Sequence, residues 1–80
     1  MSSRSIEDAI FALLAEREPG KTISPEEAAR AVDNEGWRRL LPQVRATAVG
    51  LARQGRLVVT RKGRPADPDA LKGVYRLRLP

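Results

Sequence analysis

The apolar spacing of this chain changes period once, between Gln54 and Leu57. Before that point, apolar side chains recur at helical intervals. Beyond it they alternate. Such a chain must pack helices against a small sheet, so the fold class is α+β. At 80 residues it fits a single domain with a modest core. No cysteine or histidine is present, so no disulfide or Cys/His metal site can brace that core.

The helical part divides into three. Ile6, Ile10, Leu13 and Leu14, with Ala9 and Ala12, form one stripe. Ser5 can cap it, and Pro19-Gly20 stops it, which predicts a helix over about 5–18. Residues 1–4 are expected to be disordered. Ser24-Pro25-Glu26-Glu27 is the strongest local signal: a capping serine, a proline suited to the first helical position, and a glutamate able to reach back. A second helix over about 25–33 follows, with Ala28, Ala29 and Val32 on its core side. Trp37 to Leu41 is ambiguous and could form a single helical turn. Pro42 is welcome as a first helical residue, so the third helix is placed over about 42–54. Val44, Ala48 and Leu51 are its inward stripe, and Gly55 its left-handed cap.

Leu57 to Arg61 and Val74 to Leu79 read as the strands of a hairpin over about 57–79. Tyr75, Leu77 and Leu79 share one face of the second strand; Val74, Arg76 and Arg78 share the other. Two glycines and two prolines lie between the strands, too long a stretch for a tight turn. Lys21-Thr22-Ile23 offers a short extra strand. The order is that of a winged helix: a three-helix helix-turn-helix core, then a two- or three-stranded hairpin wing. On this placement the turn before the third helix, 33–41, is longer than usual.

Several residue groups also carry a family resemblance. They are Ile23-Ser24-Pro25 with Ala28-Ala29-Arg30-Ala31, Trp37-Arg38, and Leu41-Pro42-Gln43-Val44-Arg45. Leu51, Gly55-Arg56-Leu57, Thr60-Arg61-Lys62-Gly63, Gly73 and Arg76-Leu77 continue the pattern. Over nearly its full length the chain resembles a family of small bacterial proteins catalogued as domain of unknown function 3253. The resemblance implies a winged-helix fold and brings no activity with it.

Charge points toward a partner. Residues 1–36 carry four basic and eight acidic side chains; residues 37–80 carry eleven and two. One face can therefore be positive and suited to a polyanion. Arg38 and Arg39, just before the third helix, suit phosphate, although Arg38 could equally stack on Trp37. The outward face of that helix holds Gln43, Ala46, Val49, Gly50 and Arg53, with Arg45 at its edge. Only Gln43, Arg45 and Arg53 could read bases there. Lys62 and Arg64 open the wing, where a cation can grip phosphate or enter a minor groove. Six such phosphate contacts would give a salt slope of roughly −5.

Those residues favour binding of double-stranded DNA in a role related to transcription. The small apolar outward face favours a protein partner or homodimer instead, and RNA is a third possibility. No nucleophile constellation, phosphate loop or metal cluster appears, so neither catalysis nor a metal or cofactor is expected. The apolar runs are too short for a membrane span, and the first residues lack a signal-peptide core, so the cytoplasm is expected.

Overall fold

A computed structural model describes the backbone of residues 3–80, with side chains from residue 5 onward. The expectation of disorder over 1–4 lies outside the described residues at positions 1 and 2. Residues 3 and 4 already belong to the first helix, α1 (Ser3–Ala15). Ile6, Ile10 and Leu14 are buried on one side of it. It ends earlier than the expected residue 18. Glu16 and Arg17 donate to Leu13 and Leu14, 3.2 and 3.1 Å, and these bonds tighten the last turn into 3₁₀ form and end the α-helix before Pro19 is reached.

The second helix, α2 (Pro25–Val32), starts as the sequence indicates, with Pro25 at its beginning. The Glu27 backbone N–H donates to Ser24 Oγ at 3.1 Å. The Glu27 carboxylate does not close a capping box; Arg17 takes it up at 2.8 Å.

The third helix, α3 (Trp37–Arg53), corrects the sequence reading. It starts five residues before position 42 and carries Pro42 inside it. The turn before it is 33–36, which is the ordinary helix-turn-helix length rather than an enlarged one. Two effects override the proline. Asp33 Oδ1 accepts the backbone N–H groups of Glu35 and Gly36, at 3.2 and 3.0 Å, and so fixes the turn. The apolar stripe also continues upstream: Leu40 is buried with Val44, Ala48 and Leu51, and Trp37 and Leu41 pack against the same core. An interior proline costs about 3 kcal/mol. Fully burying a leucine returns about 1.5–3 kcal/mol, and Leu40 with the partial burial of Trp37 and Leu41 offsets the loss. At its far end α3 closes as expected. Gly55 has φ +74°. Arg56 donates back to Leu51 and Gly55 to Ala52, both at 3.0 Å.

Three strands follow: β1 (Val58–Arg61), β2 (Arg64–Pro65) and β3 (Arg76–Arg78). They form one antiparallel sheet in the order β2-β1-β3. Ile23 adds a single bridge on Leu77, with its two backbone bonds at 2.8 and 2.9 Å. Three helices and this sheet make an α+β arrangement of winged-helix-like form.

The expected long hairpin loop is really two features. A tight turn at Lys62-Gly63 joins β1 to β2, with Arg61 paired to Arg64. Both turn residues have positive φ, +52° and +79°, the geometry whose twist matches the flanking strands. From Ala66 the chain doubles back as a strap. It forms a 3₁₀ turn (Pro68–Ala70) capped by Asp67, then buries Leu71 before entering β3. Tyr75 and Leu77 face inward as expected, but Leu79 is exposed.

Candidate nucleic-acid interface

Arginine and lysine have the same formal charge wherever they sit, but an ion-paired cation offers a polyanion little. The expected contact residues divide sharply on that test. Arg39 donates to Asp33 Oδ2 at 2.7 Å. The Gly36 backbone N–H, more than Arg39, holds the Asp33 carboxyl below its ordinary pKa, partly opposed by desolvation. A Cβ at Gly36 would meet Asp33 Oδ2 at 2.8 Å, so that carboxylate would have to shift. So one aspartate ends α2, begins α3 and neutralises Arg39.

Arg53, on the exposed side of α3, is held by the strap. Its Nε donates to Asp69 Oδ1 at 2.8 Å, and its Nη2 reaches the same oxygen. Arg45 is also tied to the strap, but by a neutral group: its Nη2 donates to the Leu71 carbonyl. Arg45 thus keeps its full charge. It also partly opposes the raised pKa of Tyr75, which burial pushes up.

Arg38 lies over the Trp37 ring, 4.4 Å from its centroid, and Arg30 over the same ring at 4.8 Å. The stacking alternative for Arg38 is therefore the observed one. That contact leaves its charge uncompensated, whereas Arg30 is also paired to Glu26 at 2.8 Å. Gln43 is exposed on α3. Ala46 is exposed too, and Val49 and Gly50 are half-buried, so this face is small and nearly flat.

Lys62 and Arg64 flank Gly63 at the hairpin tip. Both are exposed, and neither side chain makes a hydrogen bond or ion pair among the described residues. Below the tip, Arg61 donates to the Val74 carbonyl at 3.3 Å and Arg76 to Thr22 Oγ1 at 2.6 Å. These too are neutral acceptors. Cations opposed by a carboxylate therefore lie on the helices or, for Arg17 and Arg56, just past a helix end, and the sheet and its tip hold cations that are not.

The clamp of the strap on α3 is what sequence reasoning missed. Its one local signal is Leu71, a lone large apolar side chain in a loop of polar and turn-forming residues. Among the described residues, no cluster of three or more metal-ligating side chains occurs, and no helix is long and apolar enough to cross a membrane.

Comparison with curated proteins gives no match. A family model does match, over residues 3–80, which takes in all three helices, the hairpin and the strap. With that span covered, the chain belongs to the family described as protein of unknown function (DUF3253).

Proposed function

We propose that this domain is a non-enzymatic module of the winged-helix superfamily that binds double-stranded DNA in the bacterial cytoplasm, in a role related to transcription. The observation that carries the proposal is the hairpin tip: Lys62 and Arg64 project from a tight turn with no acidic partner. In this reading α3 lies at the major groove and the tip grips the adjoining phosphates. Arg38 and Arg45 add two more cations not opposed by carboxylates. Gln43 and the small face at Ala46 and Gly50 permit close approach but little base discrimination.

Arg39 and Arg53 drop out of the phosphate set, because Asp33 and Asp69 already neutralise them. Four contacts remain, for which log affinity should fall with log salt at a slope of roughly −3.6. An anisotropy titration against duplex DNA, single-stranded DNA and RNA checks this. Duplex binding that is strongest of the three, little affected by sequence and of that slope supports the proposal. No measurable duplex binding at low salt ends it.

A protein partner, or a second copy of the chain, is the alternative. It is favoured by the shallow concavity lined by Glu7, Ala46, Thr47, Gly50, Leu51 and Gln54 between α1 and α3. Replacing both Lys62 and Arg64 by alanine separates the two readings. It weakens DNA binding strongly and spares a contact on that concavity. Arg45 is a poorer choice for this test, because it also anchors the strap.

A further inference from the structure

A groove of about 650 Å³ runs between the start of α2, the first half of α3 and the chain entering β3. Its apolar lining is Pro25, Trp37, Leu41, Pro42, Val74 and Tyr75. Val74 stands at its margin with 85% of its surface exposed, an unusual position for a large aliphatic side chain. The size and the predominantly apolar lining are those of a small-molecule site.

The charged side chains along the groove decide what kind of molecule fits. Glu26 is the one acid in the lining, and Arg30 already neutralises it at 2.8 Å. Arg45 and Arg76 are the two cations in the lining. Both guanidiniums are bonded to neutral oxygens, those of Leu71 and Thr22. Elsewhere Arg17, Arg39, Arg53 and Arg56 are each paired to a carboxylate. The groove is thus an apolar trough with two uncompensated positive charges. Both arginines are exposed residues, but the Arg45 bond runs to the carbonyl of buried Leu71, which fixes that guanidinium beside the groove. It uses one of its five donors on Leu71, so its fork still has N–H groups to offer.

We infer that this groove binds a small amphipathic carboxylate, with an aromatic or branched apolar body on the Trp37–Val74 lining and its anionic head on Arg45. A neutral apolar ligand would leave the charge unanswered. An inorganic anion would leave the apolar lining wet. This site stands whether or not the chain binds DNA, and its test contains no DNA.

The test is a titration of the isotope-labelled chain with 1-naphthoate, 1-naphthamide and 1-naphthylmethylammonium, followed by amide chemical shifts. Naphthoate should bind with the largest shifts at 24–26, 37–45 and 73–76. Naphthamide should bind at least about tenfold more weakly, the loss of one charge-assisted hydrogen bond, and the cation more weakly still. Arg45→Gln keeps a donor for the Leu71 carbonyl but removes the charge, and should bring naphthoate down to the naphthamide level. Should that variant loosen the strap, Val74→Glu provides the second test. Its side chain is exposed, so melting should be unchanged while naphthoate binding falls about tenfold. Equal binding of acid and amide would overturn the inference. So would shifts outside the groove, no binding at millimolar ligand, or tighter binding of a short peptide ending in phenylalanine than of naphthoate.

Discussion

The hairpin tip and the outer face of α3 contribute cations to the same side of the argument, yet their chemistry differs. At the tip, Lys62 and Arg64 meet only solvent. On α3, Arg53 is bonded to Asp69 and Arg39 to Asp33. Both ion pairs lie at the surface, where such a pair adds little to stability. Their larger effect is on what the surface offers a polyanion, since each carboxylate must be displaced before phosphate can take its place. Counting basic residues overstates this surface. Asking which basic residues have acidic neighbours reduces six candidate contacts to four.

The most damaging way to test that contrast is at the tip. Lys62→Ala with Arg64→Ala should lower duplex affinity by roughly ten- to a hundredfold at low salt and reduce the salt slope by about 2. Melting should hardly change. If the slope is unchanged, the tip makes no phosphate contact and the comparison fails.

A smaller effect of opposite sign is expected on α3. Asp69→Asn keeps the shape of the strap but releases Arg53 from its carboxylate. Duplex affinity should rise severalfold and the slope steepen by up to about 1, because one more cation becomes available. Unchanged affinity would mean that Arg53 does not face the duplex.

The smallest effect concerns the turn that holds Arg39. Gly36→Ala places a Cβ against Asp33 Oδ2 and the Arg39 side chain, both of which can shift, and should lower stability by only roughly 0.5 kcal/mol in thermal unfolding. Acid should act on the same turn. The folded-state pKa of Asp33 is depressed, so its contribution is present above the ordinary aspartate value and is lost as pH falls through the lower folded value. A stability profile should therefore drop below about pH 4, and Asp33→Asn should flatten that part of the drop.

How much of this was legible in the sequence depends on the range of each interaction. Ser24-Pro25 and Gly55 act on their own helix ends, and both work as their residue types indicate. The start of α3 was misplaced because Pro42 is a local signal, whereas the burial of Leu40 that overrides it is tertiary. The tight turn was missed because a lysine at positive φ is uncommon, and Lys-Gly lacks the asparagine or aspartate that usually marks such turns. The strap was beyond reach for another reason. Arg53 and Asp69 lie 16 residues apart, and Arg45 and Leu71 26 apart, with no periodicity linking them.

The bridge between Ile23 and Leu77 has a kinetic meaning. It joins positions about as distant as the Thr22–Arg76 pair beside it, which are 54 residues apart. The helices meet through short loops, and such contacts form early in a folding reaction. Closing the sheet on Ile23 requires most of the chain to be gathered first, and its loop-closure entropy falls due before those two backbone bonds repay any of it. Pairing of Ile23 with Leu77 should therefore be the late step, and contacts made late govern how fast a folded chain comes apart more than how fast it assembles.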